Sequence, residues 1–355
     1  MIDSNNTLVE EFLLLGFSNF HNFQTVLFCV ILLAYIICVF GNLTIIILVR
    51  TEVALNNPMY FFISIFAVLE IMFISVTVPK LLVILVQSNK TISFSGCFIQ
   101  LYAFNALGET ECFILALMVF DRYLAIQNPL RYSTIMNNTC CSQLAAFPWF
   151  AGFFIASFPT FCTVVMEFCG PYEIDHFFCD LAPLQNLACV DPFNSSLVTV
   201  VAAFISIVLP FVIIATLYIH IIVTILNIKS REGKRTAFST CSSHLIVVGL
   251  FYGSAIIVYV KPKGSHYDKF LALTYTVVTP LLNPFIYTFR NREVKHALRK
   301  LLRQHIRQCS VGLFYGSAII VYVKPKGSHY DTFLALTYTV VTPLLNPFIY
   351  TFRNR

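Results

Sequence analysis

Seven apolar runs, each long enough to cross a bilayer, divide this chain of 355 residues. They are Thr25–Val49, Pro58–Val86, Cys97–Phe120, Ser142–Val164, Leu197–Leu226, Phe238–Val260 and Lys269–Phe289. A helix needs about 20 apolar residues to span the hydrocarbon core. There the backbone must satisfy its own N–H and C=O groups, which an α-helix does within one segment. The runs therefore predict an all-α membrane protein, a bundle of seven transmembrane helices. Composition agrees: 58% of residues are hydrophobic and 11% charged, where a soluble chain carries about 25% charged. The first 24 residues lack the basic segment of a cleavable leader, so the first run reads as a signal anchor.

Orientation follows from Lys and Arg, which accumulate on the cytoplasmic side. With the N-terminus outside, fourteen basic residues fall inside, among them Arg50, Arg122, Arg131, Lys229, Arg231, Lys234, Arg235 and seven from Arg290 to Arg307. Five fall outside: Lys80, Lys90, Lys261, Lys263 and Lys269. The net charge of +6 is thus a topogenic signal and points to no nucleic-acid partner. Lipid is the expected surrounding and the plasma membrane the expected location.

The loop between runs four and five carries Cys169, Cys179 and Cys189 and no Lys or Arg, and Cys97 opens run three on the same outer side. Disulfides persist there, and four cysteines allow three pairings. The even spacing lacks the close Cys pairs usual for zinc. Asn5-Asn6-Thr7 is an outward glycan acceptor pattern; Asn89 and Asn194 open two more, closer to the bilayer.

Two polar layers interrupt the apolar runs. Counting about 1.5 Å per residue, Asn42, Glu70, Glu111 and Asn283 fall near one mid-membrane depth. Ionisable groups at that depth are costly and are functional candidates by default. A switch and a structural hydrogen-bonded network with Glu70 protonated are both compatible with them; a proton pathway is a third reading. Nearer the outside, Phe104, Asn105, Gly108 and Glu109 recur at helical spacing in run three. Ala202 and Ser206 match them in depth, as do Tyr252, Ala255, Ile256 and Tyr259 in run six and Leu273 and Thr276 in run seven. A mostly apolar, aromatic-rimmed set with a few polar groups is the makeup of a small-molecule pocket. Taken singly, each of these side chains is more readily explained by helix packing.

Run three ends in Asp121-Arg122-Tyr123, an acid and a guanidinium at the foot of a membrane helix. Other fragments sit at helix ends or kinks: Leu15-Gly16-Phe17, Gly41-Asn42, Pro58-Met59-Tyr60-Phe61-Phe62 and Val78-Pro79-Lys80. Met118 to Ile126, Ala237-Phe238-Ser239-Thr240-Cys241-Ser242-Ser243-His244-Leu245 and Asn283 to Asn291 complete the set. Through these motifs, over residues 1 to about 305, the chain resembles the olfactory receptors among the rhodopsin-like G-protein-coupled receptors. It departs from their pattern at Val119-Phe120, where Ala-Tyr is usual, and at Leu217-Tyr218, where Ser-Tyr is usual.

The resemblance implies a receptor, not an enzyme. It implies a small volatile odorant in the outer layer and a stimulatory heterotrimeric G protein at the cytoplasmic face. Asp121, Arg122, Tyr123, Tyr218, Asn283, Pro284 and Tyr287 would form the activation switch, with Arg122 paired to Asp121 or turned towards Tyr218 and Tyr287. Tyr252 would couple pocket to core. The mid-membrane layer would hold a sodium ion, at Glu70 and Glu111, or a water network; no other cofactor is implied. Cys97 would pair with Cys179, which leaves Cys169 with Cys189. Glu109 is less usual for the family and favours a cationic or hydrogen-bonding ligand.

The expected organisation is an extracellular N-terminus over 1–24, the receptor bundle over 25–290, an amphipathic membrane-surface helix over 291–305 and a tail over 306–355. Residues 311–355 repeat 248–292 with one change, Lys269 to Thr332. A copy this fresh reads as an appendage. Its first apolar stretch, Val311–Val323, spans about 20 Å as helix, short of a core of about 30 Å. Two rival readings are a seven-helix transporter or channel, which would not need the Asp-Arg-Tyr motif, and a product that the tail renders non-functional.

Overall fold

The computed structural model describes residues 9–18, 23–87, 90–189, 191–260, 268–291, 293–301 and 303. The seven runs are seven helices. They are α1 Gln24–Thr51, α2 Pro58–Val86, α3 Phe94–Gln127, α4 Asn138–Val164, α5 Phe193–Asn227, α6 Arg231–Val260 and α7 over 268–290. Six are long and apolar enough to cross a membrane; in α6 the apolar part is Cys241–Ile256. The helices outrun the apolar stretches that predict them. α3 continues past Phe120 to Gln127, and α6 begins at Arg231 rather than Phe238. Hydropathy marks only the part in lipid, while the backbone ladder continues through polar residues beyond it.

Local chemistry sets several helix starts. Asn57, followed by Pro58 at the first helical position, accepts the Tyr60 N–H at 3.3 Å. Ser93 accepts the Gly96 N–H at 3.2 Å, and Asn137 the Cys140 N–H at 2.9 Å. Each side chain satisfies a first-turn donor that has no partner within its own helix.

Two helices contain a π turn, Phe204–Val208 in α5 and Thr274–Val278 in α7. Each lies just before a proline, Pro210 and Pro280. A proline has no N–H and its ring crowds the carbonyl four residues back, which here belongs to Ser206 and to Thr276. The ladder yields by widening: Leu209 N–H reaches Phe204 O, and Thr279 N–H reaches Thr274 O.

A three-stranded sheet caps one end of the bundle, in the order β2-β1-β3. β1 is Glu11–Leu14, β2 Thr91–Ser93 and β3 Glu173–Ile174. β1 pairs antiparallel with β2, Phe12 opposite Ile92, and parallel with β3, Leu14 opposite Ile174. Phe12 and Leu14 are fully buried in a cluster with Cys97, Phe98, Leu101 and Cys179. The segment before α1 is thus part of the fold rather than only a tail. A second cluster, including Phe17, Phe73, Phe104, Phe177 and Phe178, lies between α1, α2, α3, α7 and the loop after α4.

The chain divides into two compact units, residues 1–291 and 292–355. In the second, 293–301 are helical, with Val294 and Ala297 buried and Lys295, His296, Arg299 and Lys300 exposed. The copied segment 311–355 and Asn5 lie outside the described residues.

Candidate functional site

At the bundle end opposite the sheet, Asp121 is almost fully buried and Arg122 largely so. Arg122 Nη2 donates to Asp121 Oδ2 at 2.5 Å and Nε donates to the same oxygen at 3.1 Å. The other carboxylate oxygen accepts from Tyr132 Oη at 2.6 Å. Tyr132 stands on a single helical turn, Tyr132–Ile135, in the link between α3 and α4. Burial and the adjacent Asp121 carboxylate push the Tyr132 phenol above its ordinary range, so it stays a donor. The Asp121–Arg122 pair is therefore closed from two sides. Of the two arrangements open to Arg122, the structure holds the one with Asp121. Tyr218 instead bonds His244 Nδ1 at 2.7 Å, linking α5 to α6. Tyr123 packs its ring beside His220, 6.3 Å between centroids. Tyr287 is buried edge-on to Phe66, its hydroxyl without a hydrogen-bond partner.

The mid-membrane layer forms around Glu70, Glu111 and Asn283, all buried. Asn283 Nδ2 donates to Glu70 Oε1, and the Glu111 carboxyl lies beside that of Glu70. Glu70 Oε2 and Asn283 Oδ1 are sealed from solvent with no donor. Asn42 departs from the expected layer. Its amide donates to Cys38 O at 3.0 Å and to Cys38 Sγ at 3.5 Å, and Cys38 in turn donates to Pro280 O at 3.4 Å. Asn42 thus ties α1 to α7 through Cys38 rather than joining the acids. Pro284 lies inside α7 against Gly41, where an added Cβ would come within 3.1 Å of its ring.

The candidate ligand layer is partly packing. Phe104 is wedged among Phe73, Phe178 and Tyr275, centroids 4.6–6.1 Å apart. Asn105 donates to Leu101 O at 2.8 Å, Ser206 to Ala202 O at 2.8 Å and Thr276 to Ala272 O at 2.8 Å. These three side chains return to their own helices, as short polar groups do in an apolar surround. Ser206 and Thr276 both lie in the π turns. Leu273 and Ala255 are half-buried and Ala202 is buried. Ile256 is 53% exposed, although it stands one turn beyond the buried Tyr252 on the same helix face. The Tyr259 side chain lies outside the described residues. Tyr252 is buried, its ring 5.0 Å from Phe211. Gly108 faces Phe73. Glu109 is half-buried, with Oε2 sealed and without a donor. A separate cleft of about 240 Å³ lies beside Glu167, Asp191 and Asn194, and none of the candidate ligand residues lines it.

Above this layer the loop after α4 is stapled by Cys97–Cys179 and Cys169–Cys189, Cα–Cα 5.5 and 5.1 Å. Gln100 braces the first bridge, accepting the Cys179 N–H at 3.0 Å and donating to Val76 O at 2.9 Å. Lys80 donates to Thr91 O at 2.6 Å, Lys90 to Ser18 Oγ at 2.8 Å, and Lys269 pairs with Asp175 at 2.5 Å. His176 is buried against Phe177 and Phe178. Burial first, then the Lys269 charge, lowers its imidazole to about 3.

Sequence reasoning missed Tyr132, and it quoted His244 without giving it a role. Tyr132 follows Pro129 in a link with no periodicity, so nothing local aims it at Asp121. The partnership of Tyr218 and His244 joins residues 26 apart on two helices, a register that neither helix reveals alone.

An acid–guanidinium pair at one end, an acid layer in mid-bundle and a disulfide-stapled lid at the other define a rhodopsin-like seven-helix receptor. The architecture is that of squid rhodopsin, with a TM-score of 0.65 over 81% of this chain and 83% of that one, at 17% identity. The family model described as "Olfactory receptor" matches residues 28–305. Human olfactory receptor 10A7 is 44% identical over 311 residues, covering 87% of this chain and 98% of the relative. Mouse olfactory receptor 6E1 is 46% identical over 301 residues, covering 84% and 96%. The chain belongs to the olfactory receptor family. It is a multi-pass plasma-membrane receptor and not an enzyme.

Proposed function

We propose that this receptor binds small, mostly apolar odorants in the sheet-end half of the bundle and activates a stimulatory heterotrimeric G protein at the Asp121–Arg122 end. The N-terminus and sheet face the exterior, as the basic residues favour. The observation that carries the reading is the buried Asp121–Arg122 pair with its Tyr132 clasp. A charged pair held by one extra hydrogen bond is a two-state element, and an agonist acts by preferring one state. Release of Arg122 towards Tyr218 and Tyr287, with α6 moving outward, would open a cleft for the G-protein tail helix. The helix over 293–301, apolar on one side and basic on the other, suits the inner membrane surface.

The acid layer suits a sodium ion. Glu70 Oε2 and Asn283 Oδ1 are buried acceptors without donors, and a hard cation prefers such oxygens. Glu70, Glu111 and Asn283 would hold it, and its charge would offset theirs. Expression with a cyclic-AMP reporter, screened against a volatile library, tests the proposal. A surface-delivered chain that answers no volatile, or that drives a current without any G protein, would refute it.

A further inference from the structure

Among the described residues, the buried acids mostly have a visible answer. Asp121 has Arg122 and Tyr132, and Glu70 has Asn283, with Glu111 beside it. Glu109 has none. Its Oε2 is sealed from solvent without a donor, and no hydrogen bond or ion pair reaches its other oxygen. The described cations of the sheet end are engaged elsewhere: Lys80 on Thr91, Lys90 on Ser18, Lys269 on Asp175. Arg122 is thirteen residues along α3, about 20 Å away, and held by Asp121. An unanswered carboxylate at membrane depth is expensive.

One turn further on, Cys112 interacts with both Glu109 and Tyr252. Tyr252 has its hydroxyl buried with only the weakly accepting Cys112 thiol as a polar neighbour. Its ring packs on Phe211. A carboxyl on α3 and a phenol oxygen on α6 thus both neighbour Cys112, and an aromatic wall from α5 lies against the phenol. That combination suits a cation with several N–H donors. A carboxylate supplies the charge, the phenol a second acceptor, and the ring faces attract an ammonium.

Resting on the ligand site proposed above, we propose that Glu109 makes this receptor selective for protonated primary amines with a short apolar tail. The ammonium pairs with the Glu109 carboxylate and donates to Tyr252 Oη. The tail occupies the apolar remainder of the layer. An unpaired acid at this depth rests protonated, so binding releases that proton to solvent as the ammonium pairs with the carboxylate; no covalent bond between heavy atoms changes.

The test uses the full chain and carbon-matched probes, n-hexylamine, n-hexanol and hexyl methyl ether. Two readouts are taken: thermal stabilisation of the detergent-solubilised receptor and cyclic AMP in cells. The amine is expected to act at concentrations about 30-fold below the alcohol, the scale of one charge-assisted contact. Glu109→Gln should erase that preference, the amine falling about 30-fold to the level of the alcohol in the same variant or below it, and Glu109→Asp should keep the amine first. If Glu109→Gln fails to reach the surface, the wild-type ranking and Glu109→Asp decide. An amine no better than the alcohol in the wild type, or a preference that survives in Glu109→Gln, overturns the proposal. Volatiles of other classes acting while the amine does not would overturn it and leave the receptor reading standing. Stabilisation by the amine without cyclic AMP would support it and count against the G-protein reading. Silence to every volatile in both readouts would overturn both.

Discussion

Tyr132 and Arg122 act on the same carboxylate, one oxygen each, so their removal has opposite consequences. A hydrogen bond to a charged acceptor contributes about 1.5–3 kcal/mol. Tyr132→Phe removes that restraint on Asp121 and leaves the Asp121–Arg122 pair easier to open. Basal cyclic AMP without odorant should rise, by roughly tenfold where the full contribution is lost; unchanged basal output would show that Tyr132 does not hold the latch. Arg122→Ala should abolish odorant-driven cyclic AMP with surface delivery largely intact, and an undiminished response would remove Arg122 from the mechanism. At the lid, His176 gives a pH prediction with a definite sign. The free imidazole titrates near 6.5, and burial lowers it to about 3. Between those values the unfolded chain binds more protons than the folded one, so stability rises with pH and falls on acidification. From neutral pH to pH 5 this one group should cost about 2 kcal/mol. His176→Phe keeps the ring packing and removes the titration. Melting of the purified receptor between pH 7 and 5 should be flatter in the variant; parallel curves would remove His176 as the cause.

At the level of elements, α4 meets α3 tightly at Gly152. A Cβ built at Gly152 would lie 2.3 Å from Thr110 Oγ1, 2.7 Å from Thr110 N and 2.8 Å from Ala106 O. Two of those neighbours are backbone, so the helices would have to part. Gly152→Ala should destabilise by about 1–3 kcal/mol, as overpacking does. Gly249→Ala, where nothing lies within 4 Å, should be neutral or stabilising by up to about 1 kcal/mol. Thermal melts of the two variants side by side test this; equal melting temperatures would mean that α3 and α4 are not so tightly apposed. Helices of this kind are legible in sequence because lipid imposes a length and a hydropathy on each one separately. The sheet was not legible. Glu11–Leu14, Thr91–Ser93 and Glu173–Ile174 are short, far apart in sequence and weakly alternating, and only the finished bundle brings them together. The site divides in the same way. The depths of Glu70, Glu111 and Asn283 follow from counting residues along helices. The return of Asn105 and Thr276 to carbonyls four residues back, the exposure of Ile256 and the detour of Asn42 through Cys38 depend on how the helices are packed. A hydropathy pattern carries neither.

For the molecule as a whole, the open question of function is set by the duplicated end. The family model stops at residue 305. Relatives matched over 98 to 99% of their own length are spanned by only 307 to 316 residues of this chain. The compact unit 1–291 already holds the seven helices, both disulfides, the acid layer and the Asp121–Arg122 latch. The helix over 293–301 follows directly. No residue assigned here to ligand binding, switching or lid stability comes from the copy. The copy repeats a segment, 248–292, that includes Asn283 and Tyr287, and the originals of both already stand within the compact unit 1–291. Deleting residues 306–355 should therefore leave the odorant response equal or improved, with surface delivery equal or higher. The measurement is surface labelling together with the cyclic-AMP dose–response of full-length and truncated chains in the same cells. A truncated chain that no longer reached the surface or no longer signalled would make the repeat a structural part of the receptor.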